Sequence, residues 1–236
     1  MSSSYPSMTK TPFARKGSQR WLQVAVNLDS EILNAPIRDT LKTPDASVEW
    51  ISPLRATRFQ EYRDEQFVSK CRIELKRRPL RDFWPTGGPM WDGLARTDGS
   101  VILVEAKGHI AEIVSPRTRA SEPARGRIRR SMEEAQQSLS PKSFGWVDWT
   151  STFYQYANRV AHLQFLREYN GIPAHLVNVY FLNASDVGGP SSIDEWKGAI
   201  KVVKTYLGLG RTRMSKYVHD IFVDARPLVA LADAEA

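Results

Sequence analysis

The chain has 236 residues, 42% hydrophobic and 25% charged, which is the make-up of an ordinary globular protein long enough to bury one substantial core. No apolar run approaches the roughly 18 residues that cross a bilayer, which excludes a membrane-spanning helix from the expected elements. The single cysteine, Cys71, rules out an intramolecular disulfide and a cysteine-based zinc site and fits a cytoplasmic protein, while a net charge of +7 favours polyanionic partners.

Residues 1–17 contain Ser, Pro and Lys without an apolar centre, so they read as a disordered tail and not as a secretory signal. Trp21, Val24, Ala25, Leu28 and Ile32 have helical spacing, with Pro36 as the expected stop. A second helix is predicted from Ser52–Pro53, a cap followed by proline at the first helical position, to about Lys70. Residues 71–75 alternate apolar and polar and predict a strand; Pro85, Gly87, Gly88 and Pro89 then break the chain into a loop. The two strand-like runs 92–97 and 100–107 flank Asp98-Gly99, the pattern of a two-residue type I′ hairpin. Residues 101–104 are continuously apolar, as in a strand buried on both faces. Helices are expected near 126–139 and over 149–169, the second anchored by Phe153, Tyr156, Val160, Leu163 and Leu166 and stopped at 171–173. A strand at 175–182 and a turn at 186–190 come next. Ser192 and Glu195 then form a capping box for a helix to about Leu207. A last strand at 217–223 precedes an Ala-rich tail, residues 225–236. The layout is α/β, with a single domain over residues 18–224.

Counting outward from the turn pairs Thr97 with Ser100, Arg96 with Val101 and Leu94 with Leu103, and sets Asp92 opposite Glu105. Opposed strand positions hold their Cβ atoms about 4.5–5.5 Å apart, so two carboxylates face each other and repel unless something binds between them. A divalent cation with oxygen ligands would turn that repulsion into a site. Lys107, two residues past Glu105, emerges on the same face. A surface ion pair between Glu105 and Lys107 is the competing reading of the same residues.

Pro89-Met90-Trp91-Asp92, twelve intervening residues and Glu105-Ala106-Lys107 together resemble the signature of the PD-(D/E)XK nucleases. The order of elements over residues 52–182 resembles that superfamily's αβββαβ core, a mixed central sheet flanked by helices. Here it would carry extra N-terminal and C-terminal elements. The match departs at Pro89, three residues before Asp92 where the family's proline is usually adjacent. The resemblance implies that Asp92, Glu105 and the Ala106 carbonyl bind Mg²⁺ or Mn²⁺. It also implies that Lys107 orients or helps deprotonate the attacking water and stabilises charge at the phosphate. A further metal-binding Glu on the preceding helix would be Glu61 or Glu65, and a solvated helix carboxylate is the competing reading for each. Gln155 stands where some members carry a glutamine that reaches back to the site, but Arg159 replaces that subgroup's tyrosine. Gln155, Asn158, Arg159 and His162 form a polar stripe that is either a solvent face or a substrate wall.

Two net-positive runs could meet a phosphate backbone: residues 72–81, with Arg77 and Arg78, and residues 115–145, with Arg117, Arg119, Arg125, Arg127, Arg129 and Arg130. Solvated loops are the competing account. His109 reads as a surface histidine. The expectation is a Mg²⁺-dependent nuclease acting on DNA, with a catalytically inactive nucleic-acid-binding or scaffold protein of the same fold as the alternative. No Gly-rich phosphate loop or nucleophile elbow supports an unrelated phosphate enzyme. A homo-oligomer is compatible with the sequence, which sets no oligomeric state.

Overall fold

Strand β3 (Ser100–Lys107) is buried without a break from Val101 to Ala106, and its place in the molecule explains why its sequence does not alternate. It is the central strand of a five-stranded sheet in the order β1-β2-β3-β4-β5, in a computed structural model that describes residues 11–142 and 144–235. Strands β1 (Glu49–Ser52) and β2 (Gly93–Thr97) run antiparallel on one side of it; β4 (Ala174–Leu182) and β5 (Val218–Asp224) run parallel on the other. Parallel neighbours need crossover connections, and helices supply them. Helices α5 (Glu122–Leu139) and α6 (Tyr154–Gln164) link β3 to β4, and α7 (Ile193–Tyr206) links β4 to β5. These three pack on one face with Leu94, Val101, Leu103 and Leu176. On the other face α1 (Gly17–Leu28), α2 (Glu31–Leu41) and α8 (Arg226–Ala234) cover Ala95, Ile102, Val104, Ala106, Val177 and Val179. The fold is thus α/β, a mixed open sheet between two helical layers.

The β2–β3 register is the one counted from the turn: Thr97 pairs with Ser100, Arg96 with Val101 and Leu94 with Leu103. The turn itself is not type I′. Only Gly99 has a positive φ, 125°, and Asp98 is not among the left-handed residues, whereas type I′ needs both.

Several expected elements are shifted. The helix predicted over residues 52–70 is confined to α3 (Asp64–Lys70), because residues 49–52 form β1 and the Tyr62 carbonyl accepts the Trp91 N–H at 3.2 Å. That bridge keeps the chain extended just before α3. No strand forms at 71–75; Cys71 is buried with Ile73 and Leu75 against the core, so the alternation there follows burial without pairing. A short helix, α4 (Leu80–Phe83), interrupts the following loop. Pro36 ends nothing: the first helix closes at Leu28 and Pro36 lies inside α2. Two helices joined at Asp29–Ser30 had left a single apolar stripe in the sequence.

The expected tails are also revised. Residues 1–10 lie outside the described residues, but Phe13 packs on Phe59 at 5.4 Å between ring centroids, and the Ala14 N–H donates to Gln23. At the other end, α8 buries Leu228 and Ala232. The capping box at Ser192 and Glu195 is present. Helix α6 passes into a π-helical turn, Phe165–Tyr169, which ends at Gly171 with a φ of 70°, a left-handed position that glycine occupies without strain.

Candidate active site

The carboxyl end of β3 is where the inner face of the sheet turns polar. The strand register runs Glu105 to Asn178 to Asp220 across β3, β4 and β5, and Asp92, one residue before β2, extends that row on the other side of Glu105. Asn178 donates to Asp220 at 2.9 Å, and Lys204 of α7 donates to the other Asp220 oxygen at 2.5 Å. A row of polar groups thus crosses a surface that is apolar one step earlier, at Leu103 and Leu176.

Asp92 is half-buried, and its Oδ2 accepts the Ala106 N–H at 2.8 Å. Burial and the neighbouring Glu105 carboxylate push its carboxyl up to about 7, against the opposing pull of Lys107, the Ala106 N–H and Arg159. Glu105 is 5% exposed, and both its oxygens are engaged: Oε1 accepts from the Lys107 ammonium and Oε2 from Arg159 Nε at 2.6 Å. Burial alone would raise Glu105, but Arg159 and Lys107 outweigh it and hold the carboxyl below its ordinary value. The mirror argument applies to Lys107, which burial would deprotonate and which Glu105 and Asp92 keep charged.

Helix α6 supplies the rest of the site by a match of repeats. Residues two apart on a strand are separated by about 6.6 Å, and residues four apart on a helix by about 6 Å. With α6 laid antiparallel over β3, Gln155 meets Lys107, whose ammonium donates to Gln155 Oε1 at 3.2 Å, while Arg159 meets Glu105. The Arg159 guanidinium also donates to the Met90 carbonyl at 2.6 Å and to Asn158 Oδ1 at 3.2 Å, and it lies over the Trp91 ring at 4.7 Å. The polar stripe on this helix is therefore no solvent face. Asn158, Arg159 and His162 are all buried. His162 packs edge-on against Phe83 and Trp84, its Nδ1 is 2.8 Å from the Asn158 carbonyl, and burial lowers its pKa to about 3. It is a neutral core histidine.

The other residues singled out from the sequence divide sharply. Glu61 is not helical. It precedes α3, beside the Tyr62–Trp91 bridge, and is half-buried, with Gln19 donating to it at 3.1 Å. Burial, chiefly, and the charge of Glu105 raise its pKa, despite the Gln19 bond and Arg159. Glu65 is on α3 but exposed, lining a cavity with Glu74, Trp84 and Arg127; the two are therefore not on one helix face, and only Glu61 is electrostatically coupled to the acid pair. Arg117 and Arg119 line an open cavity of about 440 Å³ with Asp92, Gln155 and Arg159. Arg129 and Arg130 are exposed on α5. Arg78 is instead bound to Glu134 at 2.7 Å and lies over Phe83 and Tyr169; Arg125 pairs with Glu122, and Arg127 donates to the Arg81 carbonyl. The Arg77 backbone N–H donates to Asn170 at 3.3 Å. His109 caps a short 3₁₀ turn, its Nδ1 accepting the Ala111 N–H.

Asn178, Asp220 and Lys204 were missed by sequence reasoning, and Arg159 entered only as a departure from the family pattern and as a member of the polar stripe. Arg159 carried a usable signal, because it stands four residues after Gln155 just as Glu105 stands two before Lys107. The other three depend on the β3–β4–β5 register, for which the sequence has no marker.

The donor chemistry at Asp92 and Glu105 fits a hard divalent cation: one buried and one half-buried carboxylate and backbone carbonyl oxygen, with no sulfur or imidazole. Among the described residues no three Asp, Glu, His or Cys side chains converge as a metal-binding group. Comparison of the chain with protein-family models, with curated proteins and with solved structures returns no match.

Proposed function

We propose that this chain is a divalent-metal-dependent nuclease of the PD-(D/E)XK kind, hydrolysing phosphodiester bonds, with DNA as the expected substrate. One observation carries the reading: Asp92, Glu105 and Lys107 share the carboxyl end of one hairpin face, and Asp92 is hydrogen-bonded to the strand at Ala106. Opposed acids partly or fully buried, with an amine beside them, are costly for a fold and useful for phosphoryl chemistry. The antiparallel β1-β2-β3, preceded by helix and followed by helices and the parallel β4, supports a restriction-endonuclease-like core, with one of α1 and α2 as its leading helix and α7, β5 and α8 as additions.

Asp92, Glu105 and the Ala106 carbonyl would hold Mg²⁺ or Mn²⁺, with Glu61 the nearest further carboxylate. A bound cation would supply Lewis-acid activation of water and neutralise charge at the phosphate. Lys107, beside both carboxylates, would orient or help deprotonate the attacking water and offset charge on the phosphoryl oxygens. Gln155 fixes the ammonium by accepting from it. Arg117 and Arg119 stand at the open cavity, where phosphate contacts would be independent of sequence.

The inactive nucleic-acid-binding alternative has one observation in its favour, the saturation of Glu105 by Lys107 and Arg159. Incubation with plasmid and with single-stranded DNA in Mg²⁺, Mn²⁺ and EDTA separates the two. Cation-dependent cleavage that EDTA stops supports the nuclease; DNA binding without cleavage under every condition overturns it.

A further inference from the structure

Glu105 already has a cation on each oxygen. Its partners are Lys107 and Arg159, and the Lys107 and Glu105 side chains are 12% and 6% exposed, against 4% for Arg159. A divalent cation at Glu105 would add two positive charges beside these two, which disfavours the arrangement in which both stay in place. The Glu105 oxygen facing Arg159 is also unavailable, being 2.6 Å from Nε. Arg159 has somewhere to go: besides the enclosed site, it lines the open cavity of about 440 Å³ that it shares with Arg117 and Arg119.

We propose that Arg159 is a displaceable counter-ion: it holds Glu105 in the cation-free protein, yields it to the divalent cation, and turns into the adjoining cavity to meet a phosphate. This rests on the nuclease reading of the same site and adds a coupling to it. Cation and phosphate binding favour each other, because each stabilises the arrangement in which Arg159 has left Glu105. Arg159 acts first as a competitor for Glu105, and that effect is seen in cation affinity before any bond is cleaved.

Manganese titration by calorimetry on the full chain, without nucleic acid, tests this. Arg159→Gln is expected to bind Mn²⁺ about tenfold tighter or more than the wild type, since the competing buried ion pair is gone. Arg159→Lys, which keeps the charge but loses the planar fork, is expected to lie between. Adding a short single-stranded phosphorothioate oligonucleotide should tighten Mn²⁺ binding with Arg159 present and have a smaller effect in Arg159→Gln. If Arg159→Gln does not fold by circular dichroism, Arg159→Lys and the oligonucleotide coupling still decide. Equal or weaker Mn²⁺ binding in the folded Arg159 variants, or no coupling with Arg159 present, overturns the displacement while leaving the nuclease standing if the wild type cleaves. An absence of Mn²⁺ binding in every protein, with no cleavage by wild type, removes both.

Discussion

The two faces of the same three strands make opposite use of burial. On the face under α1, α2 and α8, alternate positions of β3 contribute Ile102, Val104 and Ala106, and β4 contributes Val177, Val179 and Phe181, with polar groups confined to His175 and its neighbour His219 at the start of the strands. On the face under α5, α6 and α7, β3 is equally apolar at Val101 and Leu103 but then carries Glu105 and Lys107, with Asn178 and Asp220 beside Glu105 on β4 and β5. Both faces exclude water. The difference is that one gains from exclusion directly, while the other must satisfy every polar group it encloses. Buried ionic groups are weak stabilisers, so stability does not account for the polar end of this face, and the proposed chemistry would.

The largest expected effect comes from breaking the charge balance on the polar face. Glu105→Ala leaves Arg159 buried without its partner and should cost about 3–5 kcal/mol, read by urea or thermal denaturation. Replacing both, as Glu105→Leu with Arg159→Leu, should recover most of that loss while leaving cleavage abolished. A double variant no more stable than Glu105→Ala would mean that the ionic pair supports the fold, and the contrast between the faces would fail. Lys107→Ala is expected to lower cleavage on the order of 10²-fold or more with Mn²⁺ binding retained, as for loss of one preorganised electrostatic group. A cleavage rate within a few-fold of wild type would place the working cation elsewhere.

The apolar face should respond in the reverse sense. Ile102→Val removes one methylene from a fully buried position and should cost roughly 0.5–1.5 kcal/mol, with the cleavage rate per folded molecule unchanged. A selective loss of activity there would show that the faces are not independent.

The remaining effect is a pH slope. His162 is buried neutral with its pKa lowered from 6.5 to about 3, so between those values the unfolded chain takes up a proton that the folded chain does not. Its contribution is fully present above pH 6.5 and is lost as the pH falls towards 3. Asp92, raised from 3.8 to about 7, slopes the other way, its contribution being lost as pH rises through that range. The wild type alone therefore mixes both. The comparison to make is with His162→Phe, whose stability should fall less steeply than the wild type's on acidification from pH 6.5. Parallel curves would mean that His162 is protonated within the fold.

Much of the site was legible because it is local. The Asp98-Gly99 turn fixes the pairing of β2 with β3, and a period of two then places Asp92, Glu105 and Lys107 without knowledge of any other part of the chain. Gln155 was found through the family resemblance. Arg159 was noticed only as a departure and as part of the polar stripe, although it fills the position that Gln155 and the strand spacing together define. Glu61 and Glu65 went astray because Ser52-Pro53 looked like a helix start. The edge strand at residues 49–52 and the bridge from Tyr62 to Trp91 override that signal, and both depend on β2 being present alongside. The arginine runs show the same limit. Charge density in sequence does not tell Arg117 and Arg119, which line the open cavity, from Arg78 and Arg125, which are paired internally.

By itself the sequence determined the hairpin and its register, the burial of β3 on both faces, the capping box of α7 and the proximity of two acids and an amine, since each follows from backbone geometry within a few residues. Only the tertiary structure decided which cations neutralise those acids, that the polar stripe of α6 is buried, and that Asn178 and Asp220 join Glu105 in one row. These depend on how a helix and two parallel strands, separated by long crossovers, are laid against β3, and no local rule of spacing fixes a contact between residues 54 or 42 positions apart.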